Sequence, residues 1–548
     1  MTARLAVALL GLGGIFCVGQ GVPHARAASF PQDDRTIVHV LNRLGFGPRP
    51  GDVERVRRLG VQRYIDEQLH PERVADPGLQ TRLAGLETLG LSSRAIAEQY
   101  ERPAIEARRQ QQRQQQTLMK MDASGAEEPP KQPTTEQRRA NQVVQELAEQ
   151  KVLRAVYSER QLQEVLTDFW FNHFNVDARK GADRFLLTEY EREAIRPHVL
   201  GKFRDLLEAT AKSPAMLFYL DNWMSASPQD PGMPPYRIVR GRFGSPMFVP
   251  RRPRPAAQKK NAQRGLNENY GRELMELHTL GVDGGYTQHD VTEVARAFTG
   301  WTIQQPRQGG GFGFEARLHD DGEKIVLGHR IKAGGGMKDG EQVLDLLAAH
   351  PSTAHFIATK LVRRFVSDTP PSSLVDRAAA RFTATGGDLR ETMRTILTSR
   401  EFLSPDAYRA KVKTPFEFVV SAARATGADV INAATLVRAV QQLGMPLYQC
   451  QPPTGYADSA DAWVNTGALV NRMNFATQIA TVVSRQSSVV SLQPSPVSQS
   501  SSSDAGRSLL SVALNDDVSE ATRKTIARAT TPAQMIALVL GAPEFQRR

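Results

Sequence analysis

The chain has 548 residues, 69 Lys and Arg against 58 Asp and Glu, and two cysteines, Cys17 and Cys450. That length supports one large core or two ordinary ones. If a leader carrying Cys17 is removed, Cys450 stands alone, which excludes an intramolecular disulfide and leaves stability to core packing. The chain opens like an exported protein: Arg4, then an apolar run from Leu5 to Gly19, then Ala25-Arg26-Ala27. The small-x-small pattern predicts a signal peptide over residues 1–27. The apolar run is shorter than the ~20 residues of a spanning helix, and Phe16 before Cys17 argues against a lipoprotein. The expected location is periplasmic or secreted, with no transmembrane segment after cleavage.

Residues 28–105 read as an N-terminal helical part. Ile37, Val38, Leu41 and Leu44 recur at helical spacing behind Asp33 and Asp34, which can cap. Val53, Val56 and Leu59 continue the pattern, and a further helix over 61–69 ends before Pro71. Residues 106–142 are a low-complexity Gln/Arg insertion with too few apolar residues to pack, either a solvated helix or a disordered segment.

Residues 143–486 form the main helical core, with helices expected at 143–157, 161–174 and 185–195. Ser213-Pro214 reads as a cap with proline at the first helical position, opening a helix to Leu220. Within the core, 225–264 is a basic, Gly/Pro-rich loop carrying Arg237, Arg240, Arg242, Arg251, Arg252 and Arg254 among others. For an exported protein such a loop either stays solvated or meets an anionic envelope polymer; nucleic acid is not expected. Phe312, Phe314 and Ala316 alternate, as do Lys324, Val326 and Gly328, with Asp320-Asp321-Gly322 as turn chemistry between them. Helices follow at 340–349, 353–366, 374–385 and 389–398. Thr414-Pro415-Phe416-Glu417 and Thr531-Pro532-Ala533-Gln534 both have the form of a capping box. Ile396–Phe402 and Leu538–Phe545 echo each other, each ending an apolar helix before a small residue, an acid and a Phe. Residues 487–505 are a Ser-rich linker before a C-terminal helical segment, 506–548. The fold class is mainly α: a large multi-helix domain with one small β-hairpin.

Polar density is greatest between Leu266 and Trp301. Leu266, Tyr270, Leu274 and Leu277 form an apolar stripe, while Asn269, Arg272, Glu273 and Glu276 share another face, where residues three or four apart are neighbours. His278 sits in the last turn, where a protonated imidazole favours the helix dipole. Two readings stay open. In one, Glu273, Glu276 and His278, joined by His173, move protons or bind a divalent metal, with Glu276, His278 and His173 as ligands and Asn269, Arg272 and Asn172 binding the substrate. Carboxylate with imidazole suits Zn, Mn or Fe more than Ca. In the other, the same residues are an ion-pair network tying helices together.

Thr287 and Asp290 resemble a capping box, which explains Asp290 without a ligand. In Asp168–Asn175 aromatics crowd around His173, as in a core, yet Asn172, His173 and Asn175 cluster at the helix end, where unpaired polar groups are costly. His319-Asp320-Asp321 offers a further ligand or a plain turn. There is no Gly-x-Ser-x-Gly elbow, phosphate loop or zinc cysteine pair.

Several of these segments together resemble a bacterial family, domain of unknown function 1800. The resemblance runs through 39–48, 168–175, 213–222, 267–301, 351–371, 413–417 and 444–474, with Gly271 where a small residue, usually Ala, is expected. It implies a predominantly helical, often exported protein, with an exported protein of the domain of unknown function 1501 family as companion. No reaction comes with it. The sequence therefore leads to an envelope-associated binding or assembly protein, with a metal-assisted hydrolase or oxidoreductase as the alternative.

Overall fold

The computed structural model describes residues 32–121, 133–227, 265–490 and 509–548, and between them the strands 236–240 and 246–250; of 117–121, 307, 486–490 and those strands only the backbone is described. The expected signal peptide, the middle of the Gln/Arg insertion, most of the basic loop and most of the expected Ser-rich linker lie outside the described residues. Asp33 caps α1 (Asp34–Leu44), its carboxylate accepting from the Thr36 amide at 2.9 Å. Ile37, Val38, Leu41 and Leu44 are buried as their spacing requires. Next come α2 (Asp52–Leu59), α3 (Val61–Leu69), α4 (Pro77–Leu83) and α5 (Ser93–Ile96). The Gln/Arg stretch is helical on both flanks, in α6 (Arg102–Met121) and α7 (Thr135–Tyr157). A capping box of Thr134 and Gln137 starts α7 well before its apolar half, where periodicity alone placed the start.

After α8 (Gln161–His173) and α9 (Asp183–Glu189) the chain makes a π turn over Tyr190–Ile195, then forms α10 (Phe203–Ala211) and α11 (Pro214–Tyr219), the last capped by Ser213. Strands β1 (Tyr236–Arg240) and β2 (Pro246–Pro250) pair antiparallel inside the basic loop. Helices α12 (Glu268–Glu276) and α13 (Gln288–Ala297) follow and pack on each other.

The expected hairpin is two hairpins. β3 (Trp301–Ile303) pairs with β4 (Phe312–Phe314), and β5 (Lys324–Val326) with β6 (His329–Ile331). Asp320-Asp321-Gly322 is not the turn of either. The turn between β5 and β6 is Leu327-Gly328, both at positive φ (50° and 78°), the conformation that matches strand twist in a two-residue loop.

The helices that follow among the described residues include α14 (Met337–Ala349), α15 (Pro351–Phe365), α16 (Ser372–Ala384), α17 (Leu389–Leu397), α18 (Pro415–Ala425), α19 (Ala433–Gln442), α20 (Thr466–Val490) and, near the C-terminus, Glu520–Ile526 and Pro532–Gly541. Every residue of α18 is buried, as a helix at the centre of a large core must be. It packs on α7 and α19, and α15, α16 and α17 pack in succession. The α18 charges are both paired. Arg424 donates to Gly47 O and Val156 O at 2.7 Å each and to Asp52 at 3.2 Å. Glu417 closes the Thr414 capping box and lies 2.8 Å from Arg364 and 3.0 Å from Arg548. At the C-terminal helix the second box is half formed: Thr531 accepts from Gln534, but Gln534 Oε1 takes the Thr530 amide instead. The echoing Phe402 and Phe545 are both buried. No described helix is long and apolar enough to cross a membrane.

Candidate functional site

The 266–301 segment divides into structural parts. Asn267 caps α12 through the Tyr270 amide, and its Nδ2 donates to Leu220 O at 2.6 Å. Gly271 allows α13 to approach closely: a Cβ there would stand 2.8 Å from Val291 O. Asn269 is exposed. Arg272 turns to Gln288 at 2.5 Å, and Glu276 accepts from the Tyr286 hydroxyl at 2.9 Å, so these two neighbours on one face of α12 bond outside the helix and not to each other. Glu273 is half-buried, and burial together with Glu276 raises its carboxyl above the ordinary range. Thr287 and Asp290 form the capping box. Asp290 also accepts the Leu327 amide at 2.7 Å and Glu293 the Ile325 amide at 2.8 Å, so both carboxylates hold the second hairpin. Arg296 bridges Glu293 to Asp320, and His319 and Lys324 reach Asp339 at 3.2 and 2.7 Å. This ion-pair network joins α13 to the second hairpin and α14, and none of Glu273, Glu276, His278 and His173 belongs to it.

Among the described residues no group of three or more His, Cys, Asp and Glu side chains is arranged to hold a metal ion. The set Glu276, His278 and His173 is not assembled as one, and the geometry of His173 gives the reason. Its Nε2 lies 3.1 Å from the backbone oxygen of His278, and its Nδ1 lies 2.9 Å from Lys360 Nζ. A carbonyl only accepts, so Nε2 carries the proton and Nδ1 presents its lone pair to the lysine. Both ring nitrogens are engaged. Burial, then Lys360 and His278, hold His173 well below its ordinary pKa, and burial holds His278 at about 3. Both imidazoles are neutral.

What His173 does is support the floor of a cleft of about 570 Å³. One wall is α8, with Asp168, Phe169 and Asn172; the other is α15, with Lys360 and Arg363; the chain from Thr454 to Ser459 closes it. The His173 ring is wedged against Phe174, with centroids 4.5 Å apart, and against Trp170 at 5.4 Å. Asn172 clamps the closing segment rather than binding ligand: Nδ2 donates to Tyr456 O at 2.8 Å and Oδ1 accepts the Tyr456 amide at 2.7 Å. Asn175 repeats the device on Cys450 O and Pro452 O. Gly455 is required between these clamps, since its φ is +72° and a Cβ would fall 2.2 Å from Asn172 O.

Three of the cleft carboxylates, Asp168, Asp368 and Asp458, are already matched by cations. Asp168 is paired with Lys151 at 2.6 Å. Asp458 meets Arg364 and Lys411, each at 3.4 Å, and Lys411 also holds Asp368. Lys360 differs. It is partly exposed to the cleft, its hydrogen bond is to a neutral imidazole, and it makes no ion pair among the described residues. Burial lowers it to about 8, with Asp458 opposing and Arg363 adding to the shift. Arg363, one turn along, likewise makes no ion pair among the described residues. The sole cysteine of the described residues, Cys450, is buried, and burial with Asp177 raises its thiol to about 11, far from a reactive thiolate. Lys360 and Arg363 were missed in the sequence because a basic residue on an amphipathic helix reads as solvated surface.

Fold and cleft thus define a mainly α protein with a lysine-floored pocket at the meeting of α8 and α15. The family model described as "Protein of unknown function (DUF1800)" matches residues 39–547, and the chain belongs to that family. Neither a curated protein nor a solved structure matches it.

Proposed function

We propose that this is an exported, envelope-associated binding protein that takes an anionic ligand in the α8–α15 cleft. One observation carries the reading: Lys360 lines the cleft with a neutral histidine as its partner while Asp168, Asp368 and Asp458 are paired with other cations. A cation held that way, with Arg363 beside it, favours a carboxylate or phosphate from solvent. The leader-like residues 1–27 support export. The basic stretch 225–264 supports a second contact with an anionic envelope polymer or an exported protein of the domain of unknown function 1501 family.

Thermal melts in acetate and in inorganic phosphate test the cleft. The melting temperature of the natural chain should rise with either anion, that of Lys360→Met should not, and Lys202→Met, remote from the cleft, should behave like the natural chain. Equal shifts in all three proteins would remove the proposal. Fractionation of cells making the chain with and without residues 1–27 tests export.

A further inference from the structure

The cleft holds more than a positive charge. Because Nε2 of His173 is committed to the His278 carbonyl, Nδ1 can only accept, and it takes one N–H of Lys360. That acceptor is satisfied by a neutral amine as well as by an ammonium, whereas a carboxylate partner would demand the ammonium. The bond also anchors the nitrogen, and Lys360 lines the cleft. Arg363 lies three residues further on the same helix, about 5–6 Å away at Cβ for this spacing, and lines the same space.

We infer that Lys360 forms an imine with the carbonyl carbon of a 2-oxo acid whose carboxylate pairs with Arg363. The inference rests on the anion-binding reading of the cleft and gives the ligand its chemical class. The Nζ lone pair attacks the carbonyl carbon, a C–N bond forms, and the carbonyl oxygen takes a proton to give a carbinolamine. The C–O bond then breaks. The oxygen leaves as water with the two hydrogens the amine has lost, and the C=N bond remains. Nothing is oxidised or reduced. His173 is a positioning residue that aims the amine. With Lys360 at about 8, roughly a tenth of it is free amine at pH 7, against well under a thousandth of an ordinary lysine.

The test uses pyruvate with sodium cyanoborohydride, which reduces an imine to a stable amine, on the whole chain at pH 7, followed by peptide mapping. Lys360 should be labelled at least ~10-fold faster than exposed lysines, well within the roughly 300-fold advantage its amine fraction implies, and acetate should slow that labelling. Lys360→Arg should keep the acetate-induced melting shift and lose the label. His173→Gln should slow labelling while leaving the acetate-induced melting shift in place. Labelling spread evenly over surface lysines, with the acetate shift intact, would overturn the imine and leave the anion site standing. Absence of both label and acetate shift would overturn both. Rapid labelling that acetate does not slow would overturn the role of Arg363.

Discussion

Nε2 of His173 donates to the backbone oxygen of His278 across 3.1 Å, joining the two segments that the sequence offers as separate candidate sites. The contact converts one histidine into a support. With its proton fixed on Nε2, His173 can serve Lys360, 187 positions away, and is not free to serve a metal.

The charge state of Lys360 should be visible in stability. Its pKa is depressed on folding, so between about 8 and the ordinary 10.5 the unfolded chain binds more protons, and stability rises with pH through that window. Lys360→Met should abolish this rise. It should melt higher than the natural chain at pH 7, with the difference shrinking above pH 8 and gone beyond 10.5. A constant difference between the two proteins from pH 7 to 11 would show that Lys360 titrates normally.

Glu417 has the opposite sign. Burial pushes its carboxyl up, but Arg364 and Arg548 pull it down to about 2. Its contribution is complete above the ordinary 4.5 and is lost as pH falls toward 2, on the order of 3 kcal/mol for a shift of that size. Glu417→Gln should cost ~3–5 kcal/mol at pH 7, because Arg364 and Arg548 are left buried without it. Denaturant melts between pH 7 and 2 should show a flatter acid limb for the variant.

Gly455→Ala sets a Cβ into the Asn172 clamp at a left-handed position. The conformation alone costs an L-residue about 1–2 kcal/mol, and the overlap must displace the closing segment. Expected are a lower melting temperature and a reduced acetate shift. If Gly455→Ala binds acetate like the natural chain, the Thr454–Ser459 wall has no part in the site.

Asp290→Ala removes a capping carboxylate and strands the Leu327 amide. The cap is worth ~1 kcal/mol and the stranded amide ~1–3 kcal/mol, so a loss of ~2–4 kcal/mol is expected in urea melts. Hydrogen exchange should rise in β5 and β6 first. A loss below ~0.5 kcal/mol, typical of a plain surface position, would mean that Glu293, Arg296 and Lys324 hold the hairpin without Asp290.

Several helix starts made by a local side chain were legible, though not the Thr134–Gln137 box of α7: Asp33 before α1, Ser213-Pro214 before α11, Thr287 with Asp290, Thr414 with Glu417. These are contacts across two or three residues, and pattern carries them. Strand partners were not legible, because Trp301–Ile303 and Phe312–Phe314 are both short apolar runs that tell nothing of register. The positive-φ turn at Leu327-Gly328 hid behind a stronger turn signal at Asp320-Asp321-Gly322.

By itself, then, the sequence determined a mainly helical chain, its caps and its family, all properties of neighbouring residues or of long matched segments. Which polar residues make a site was decided by tertiary structure alone. Asn172 meets Tyr456 across 284 positions, and Lys360 meets His173 across 187. Asp290 and Glu293 of the polar segment from Leu266 became scaffold because hairpin amides and Arg296 reach them. A lysine with no mark in the sequence became the candidate centre because folding placed a neutral imidazole, and no carboxylate, at its tip.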